Sequence, residues 1–251
     1  MRRLIRGHQP LKRRCPLTFV IASTPRSGTQ YTSRLLQSLG VHCSHEVFFG
    51  PHAHRHEMYV CNPLRREFYQ GIAPLGDSSW LAVPFLDELP DNVAVIHQVR
   101  EPVTSINSIL HTRHFDWDEP LDDPVSADFH RFLQRVTRDW AWPDDKEQKA
   151  ILFWNRWHQQ IFEQSTRRPY FQLRLEDLSE ETVSELLAFI GIRTINQREI
   201  QRLIEASCKT TNRNRGEPVP RVSWDDLPAE TIELAHRMGY HEPATQTIQG
   251  A

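Results

Sequence analysis

Two short apolar runs, each followed by a helix-like pattern, organise the hydrophobic profile of the chain. Residues 18–22 form a β-branched and aromatic run, which is typical of a buried parallel strand. Beyond Gly28, apolar side chains recur at helical spacing as far as Leu39, and Gly40 follows where a helix would end. The pattern therefore predicts a strand, a tight loop and a helix in succession.

The second run repeats this arrangement further along the chain. Residues 93–99 predict another buried strand, which ends at Arg100. Pro102 stands at the expected first position of a helix whose apolar face extends to Leu110. Strands that alternate with helices predict an α/β fold, with a central parallel sheet flanked by helices in three layers.

Further elements follow from the same periodicities. Alternating apolar residues predict a third strand over residues 171–175, and helical spacing predicts a buried helix over 147–164 and a terminal helix from about residue 228. Residues 62–79 contain two Pro, two Gly and several charges, so we predict irregular structure there, with a helical turn near residues 65–69.

The loop over residues 23–29 is a candidate anion site. It precedes a helix, where unpaired N–H groups and the helix dipole favour a phosphate or another oxyanion. Gly28 matches the second Gly of the Walker A pattern, but Thr29 stands in place of its Lys and Gln30 in place of its magnesium ligand. The pattern therefore disfavours a nucleoside triphosphatase, and the loop carries its cation at Arg26 instead.

These residues carry a resemblance to a known family. The heptapeptide TPRSGTQ over residues 24–30 resembles the phosphosulfate-binding loop of sulfotransferases that use 3'-phosphoadenosine 5'-phosphosulfate (PAPS), in their bacterial and Golgi branches. Arg100 and Ser108, eight residues apart, resemble the motif of that family that binds the 3'-phosphate. The resemblance implies a P-loop NTPase-like fold and transfer of a sulfuryl group from PAPS to an acceptor hydroxyl.

The resemblance also assigns roles to particular residues of this chain. The residues that it implies for cofactor binding are Arg26, Ser27, Gly28, Thr29 and Gln30 at the 5'-phosphosulfate, Arg100 and Ser108 at the 3'-phosphate, and Arg213, Arg215 and Gly216 in a basic loop over the 3'-phosphate. The aromatic-rich segment over residues 111–145 is expected to cover the site, by analogy with the family.

A general base is needed to remove the proton of the acceptor hydroxyl. In the bacterial and Golgi branches a Glu shortly after the loop helix acts as the base, and Glu46 matches that position. His45 is its neighbour or substitute. Cytosolic members use a His upstream of the second motif, but residues 77–89 contain none. The acceptor is expected to be a small molecule or glycan with a free hydroxyl, either a carbohydrate or an alcohol on a lipid or natural product.

Composition narrows the possible partners. The 251 residues carry a formal net charge of -2, so no global basic field favours nucleic acid, and an anion site must be local. We predict a disordered basic lead-in over residues 1–16 and a single domain over 17–251. No apolar stretch is long enough to span a membrane, and the four cysteines have no repeated spacing, which favours reduced thiols. These features predict a cytoplasmic protein.

A stretch rich in His and Cys lies over residues 42–61. Its H-A-H-R-H spacing at residues 52–56 would place three imidazoles on one side of an extended segment. No second ligand pair repeats the spacing, and sulfuryl transfer requires no metal, so we assign no metal ligand to the site and leave metal binding by this stretch open. A basic surface near the acceptor cleft and a solvated loop are the two interpretations that stay open.

Two other functions also stay open. A small-molecule kinase on the same fold would use ATP with magnesium, which the missing Walker Lys disfavours. A non-catalytic nucleotide-binding relative would bind the cofactor and transfer nothing.

Overall fold

The fold is described from a computed structural model of the chain. The structure describes residues 15–49, 75–112, 115, 124–192, 197–211 and 221–243. Most of the predicted lead-in, residues 1–14, lies outside these ranges, as do residues 50–74 and 212–220.

Five parallel strands form one sheet in the order β2-β3-β1-β4-β5. The strands are β1 (Phe19–Ala22), β2 (His42–His45), β3 (Leu75–Ser78), β4 (Ala94–Val99) and β5 (Tyr170–Arg174). In the centre, Phe19 of β1 is in register with Gly76 of β3 on one side and Ala94 of β4 on the other. Because all pairs are parallel, the carboxyl ends of the strands meet at one edge of the sheet.

Helices cover both faces of the sheet. They are α1 (Thr29–Ser38), α2 (Pro102–Leu110), α3 (Pro124–Val136), α4 (Lys146–Ser165), α5 (Glu180–Phe189), α6 (Gln197–Thr211) and α7 (Ala229–Arg237), with a 3₁₀ helix over Trp80–Glu88. Alternate residues of β1 serve opposite layers: Phe19 and Ile21 pack with α1, α5 and α6, whereas Val20 and Ala22 pack with α2, α4 and α7. The prediction of a three-layer, P-loop NTPase-like α/β fold is confirmed.

One structural prediction was wrong. Residues 62–79 were expected to be irregular, but Leu75–Ser78 is β3, the strand between β1 and β2. Its sequence, LGDS, has one apolar residue, and Gly and Asp are depleted in strands. Neighbouring residues specify it: Gly76 leaves room for the Phe19 ring, and the Asp77 carboxylate accepts hydrogen bonds from the chain after β2. The helical turn predicted near residues 65–69 lies outside the described residues.

The described aromatic residues of the 111–145 segment belong to the core. The Phe132 and Trp80 rings lie edge to face with centroids 5.6 Å apart, and Phe115 lies 5.5 Å from Phe153 of α4. Trp80, the first residue of the 3₁₀ helix, is 3% exposed and packs in the same aromatic cluster. A cover over the site stays a prediction, since residues 116–123 lie outside the described ranges.

His97 on β4 is fully buried in a hydrogen-bonded chain of side chains. Its Nδ1 lies 2.8 Å from the Tyr170 hydroxyl and its Nε2 lies 2.7 Å from Nδ1 of His158. Burial lowers the pKa of both imidazoles, that of His158 to about 3. Both rings are therefore neutral near pH 7, and their contacts are those of packed, hydrogen-bonded core residues.

Within the part of the chain that the structure describes, no helix has the combination of length and apolar character that crossing a membrane requires.

The tight contact under β3 gives a stability prediction. A Cβ added at Gly76 would overlap the ring of Phe19, which is fully buried. We expect Gly76→Ala to lower the free energy of unfolding, measured in urea, by about 1–3 kcal/mol. Shortening the ring in the double variant Phe19→Leu with Gly76→Ala should recover part of that loss, and strictly additive effects would contradict the contact.

Candidate functional site

The loop between β1 and α1 has a conformation that suits an anion. Arg26 and Gly28 both have left-handed backbone, with φ of 68° and 84°. Successive N–H groups in such a segment form a concave anion-binding surface, and no described side chain caps the N-terminus of α1. Two features favour Gly at position 28: its φ is positive, and an added Cβ would lie 2.8 Å from a methyl group of Leu175.

Three buried hydroxyl groups tie this loop to α2. The Oγ1 of Thr24 lies 2.7 Å from the Oγ of Ser27, and the Oγ of Ser105 lies 3.4 Å from each of them. Gln98 on β4 also donates its side-chain N–H to the carbonyl of Ser27. The β1 loop and the β4–α2 unit therefore form one connected edge, although they are about 80 residues apart in sequence.

The residues of the two sequence motifs meet at this edge. The Arg26 Nε donates to the Oγ of Ser108 over 3.2 Å, and the Arg100 Nη1 donates to the carbonyl oxygen of Arg26 over 2.9 Å. The two guanidinium groups and the Ser108 hydroxyl thus lie together beside the α1 N-terminus. Guanidinium groups and hydroxyls in this arrangement are suited to bind phosphate or sulfate oxygens.

Acidic residues partly balance the charge of Arg100. Burial lowers the pKa of its guanidinium, and the neighbouring Glu176 carboxylate acts in the opposite direction. Glu176 accepts the backbone N–H of Glu101 at 2.9 Å and the Tyr240 hydroxyl at 2.7 Å. The Glu101 carboxylate accepts the N–H groups of the first turn of α2. The N-terminus of α2 is therefore already capped, and Arg100 supplies the attraction for an anion there.

His45 and Glu46 lie at the carboxyl end of β2, beside the first residue of α1. The His45 Nε2 lies 3.1 Å from the Thr29 Oγ1 and 3.9 Å from the Glu46 Oε1. Glu46 has a left-handed φ of 52° and donates its backbone N–H to the carbonyl oxygen of Ser78 over 3.1 Å. Through His45, Thr29 connects the two candidate bases to the loop over residues 23–29, which we call the anion loop.

The surroundings of these two side chains shift their pKa values in opposite directions. Burial, with a contribution from the Asp77 charge, raises the pKa of Glu46 to about 7. A hydrogen bond from the Trp80 side chain acts in the opposite direction. Burial, with a contribution from Arg34, lowers the pKa of His45 to about 4. Near pH 7 the Glu46 carboxyl therefore exchanges a proton readily, whereas the imidazole of His45 is neutral and a much weaker base.

Sequence reasoning missed Asp77. This carboxylate is fully buried and accepts the Ser44 hydroxyl at 2.6 Å and the backbone N–H groups of Val47 and Phe49 at 3.2 and 3.1 Å. Burial raises its pKa, and these hydrogen bonds lower it. One Asp in a polar stretch carries no signal of this role, which only its burial reveals.

The remaining predicted site residues stand as follows. Gln30 is exposed on the first turn of α1, one residue after Thr29. Arg213, Arg215 and Gly216 lie outside the described residues. Where the described chain resumes, the Asn107 Oδ1 accepts the N–H groups of Arg221 and Val222 at 2.8 and 3.1 Å, which fixes that segment next to Ser108.

The His- and Cys-rich stretch is described only in part. His42 is exposed on β2, and Cys43 is buried, where burial raises the pKa of its thiol. Residues 50–61, which include the H-A-H-R-H spacing, lie outside the described ranges. Among the side chains that the structure places, no group of three or more His, Cys, Asp or Glu is arranged to hold a metal ion.

Comparison with known proteins gives structural similarity and no family assignment. No protein-family model matches the chain, and no curated protein matches it. Among solved structures, the chain is similar to mouse sulfotransferase SULT7A1 complexed with PAP, with a TM-score of 0.41 and 16% sequence identity. The match covers 76% of this chain and 63% of the mouse chain, which is less than two thirds of the mouse protein. The fold assignment above rests on the strand order and register of this chain itself.

Proposed function

We propose that the protein is a sulfotransferase that moves a sulfuryl group from PAPS to an acceptor hydroxyl. The observation that supports this most directly is the contact of Arg26 with Ser108, with Arg100 bound to the Arg26 carbonyl. It joins the loop that resembles a 5'-phosphosulfate site to the pair that resembles a 3'-phosphate site. A nucleotide with phosphates at both positions needs two linked anion sites of this kind.

The donor groups fit such a nucleotide. The N–H groups of the first turn of α1, the Arg26 guanidinium and the Ser27 and Thr29 hydroxyls would hold the 5'-phosphosulfate. The Ser23 hydroxyl, at the start of the loop, is fully buried and has no hydrogen-bond partner among the described residues. Arg100 and Ser108 would hold the 3'-phosphate, with Arg213, Arg215 and Gly216 proposed as a cover.

In the proposed reaction, Glu46 takes the proton of the acceptor hydroxyl as its oxygen attacks the sulfur in line. The new O–S bond forms while the bond from sulfur to the bridging phosphate oxygen breaks. Arg26 stabilises the negative charge that develops on that oxygen, and adenosine 3',5'-bisphosphate leaves. His45 orients Thr29 and Glu46 through the contacts described above. No metal ion is required for these steps.

The acceptor that we propose is a carbohydrate or another alcohol with a free hydroxyl. The proton of an alcohol is weakly acidic. Sulfuryl transfer to the alcohol oxygen therefore needs a general base that is ionised near neutral pH and can accept this proton. Glu46, with its pKa raised to about 7, meets that need better than His45. The cytoplasmic location stays a prediction from the sequence.

Calorimetry tests the cofactor first. We expect adenosine 3',5'-bisphosphate to bind the protein in the presence of a chelator, and Arg100→Ala to weaken that binding by about tenfold or more, because the 3'-phosphate loses a charged partner. ATP with magnesium, titrated in parallel, should bind more weakly. A preference for magnesium ATP would instead identify a kinase, and binding without transfer in the assays below would identify a non-catalytic relative.

Arg26→Ala tests the role of the loop cation. We expect turnover of PAPS, with methyl glucoside and glycerol as probe acceptors, to fall about a hundredfold or more, as for loss of one preorganised donor. Arg26→Lys, which keeps the charge and loses the forked geometry, should retain an intermediate rate. Wild-type turnover in Arg26→Ala would remove Arg26 from the mechanism.

The pH dependence tests the base. Because Glu46 must be ionised to accept a proton, kcat/KM should rise with pH through about 7 and level off above it. Glu46→Gln should lower the rate by about a hundredfold or more and abolish this limb. His45→Asn should keep the rising limb near the same pH. If the limb were instead lost in His45→Asn and kept in Glu46→Gln, the base would be His45.

A further inference from the structure

We propose that Asp77 is a positioning residue for Glu46: its buried carboxylate fastens the turn over residues 44–49 and so fixes where the Glu46 side chain stands beside the anion loop. This inference rests on the proposed function, because it concerns the base of that reaction.

Asp77 contacts residues that lie both before and after Glu46 in the sequence. The carboxylate accepts the Ser44 hydroxyl, two residues before Glu46, at 2.6 Å, and the N–H groups of Val47 and Phe49, which follow it, at 3.2 and 3.1 Å. Hydrogen bonds to a charged acceptor are stronger than those between neutral groups. One buried side chain therefore closes the turn at three points.

The residues that follow Asp77 hold the same turn. The Ser78 carbonyl accepts the N–H of Glu46 at 3.1 Å, and the Ser79 hydroxyl donates to the carbonyl of Phe49 at 2.7 Å. The Trp80 side chain hydrogen-bonds to the Glu46 carboxyl. Four consecutive residues from the end of β3 thus contact residues 44–49, and Asp77 makes more of these contacts than any of the other three.

The backbone of Glu46 requires this support. Its left-handed φ of 52° is unfavourable for a residue other than Gly, Asn or Asp, and such a conformation persists only where the surroundings impose it. Strained backbone held by a rigid frame is a recurrent feature of active sites. With the turn loosened, Glu46 would return to ordinary backbone and its carboxyl would leave its place near His45 and Thr29.

Asp77 also sets the electrostatic environment of the base. Among the residues that the structure describes, the charged and titratable groups near Glu46 are Asp77 on β3 and His45 on β2, with Arg34 on α1 acting on His45. Of these, the Asp77 charge opposes ionisation of Glu46. A change at Asp77 should therefore be detectable at Glu46 itself, independently of any enzymatic assay.

The test compares Asp77→Asn with a matched control. In the variant, one carboxylate oxygen becomes an NH₂ group, which cannot accept a backbone N–H, and the charge is lost. Ser33→Ala is the control, because it removes a buried hydroxyl that donates to the carbonyl of Cys43 on β2 at 2.8 Å and does not touch Asp77. A second variant, Ser44→Ala, removes the shortest contact of Asp77 and leaves its charge.

Three measurements separate the outcomes. In Asp77→Asn we expect the pKa of Glu46, followed by carbon-13 NMR of its carboxyl, to fall, and kcat with methyl glucoside or glycerol to drop about tenfold or more, as for a misplaced catalytic group. The affinity for adenosine 3',5'-bisphosphate should stay within about twofold, because the phosphate contacts lie elsewhere. Ser33→Ala should leave all three unchanged, and Ser44→Ala should lower kcat without changing that affinity.

The result that would overturn the inference is an unchanged Glu46 titration and an unchanged kcat in folded Asp77→Asn. If that variant does not fold, a wild-type kcat in Ser44→Ala overturns it instead. Failure of the proposed function has a different signature: wild-type protein would not bind the bisphosphate, while the effect of Asp77→Asn on the Glu46 titration would persist.

Discussion

The central position of β1 between β3 and β4 is the constraint on which the site depends. Parallel pairing on both sides brings the ends of three strands to one edge, where open α/β sheets bind ligands. The loop after β1 turns at Arg26 and Gly28 through left-handed backbone, which aims N–H groups outward at the start of α1. Buried hydroxyls and Gln98 then connect that loop to the β4–α2 unit, so the edge is held as one piece.

Charge is distributed unevenly along this edge. Arg26 and Arg100 lie close together through the Arg26 carbonyl, and each opposes the other electrostatically, since the Arg26 charge lowers the pKa of Arg100. Glu176 offsets part of this repulsion from the side of β5, where Tyr240 and the Glu101 N–H hold it. A bound dianion would relieve the repulsion further, which is the physical reason that paired guanidinium groups suit a bisphosphate.

The carboxyl groups of Glu46 and Asp77, near the carboxyl ends of β2 and β3, have different surroundings. Asp77 is fully buried, which raises its pKa, and the hydrogen bonds that it accepts act in the opposite direction. The Glu46 side chain is 19% exposed, and its burial, with a contribution from the Asp77 charge, raises its pKa to about 7. The carboxyl groups of Asp77 and of Glu46, the proposed base, thus differ in their exposure and in the number of hydrogen bonds that they accept.

The sequence by itself determined the strand, loop and helix of both anion motifs and the alternation that makes an α/β sheet, because these follow from local periodicity and from glycine at a positive φ. It also pointed to Glu46, though only through resemblance. Tertiary structure decided the rest. β3 forms because Phe19 covers Gly76, Ser108 meets Arg26 across 82 positions, and Asp77 and the pKa of Glu46 depend on burial. Contacts between residues distant in sequence leave no periodic signal, so only the folded chain reveals them.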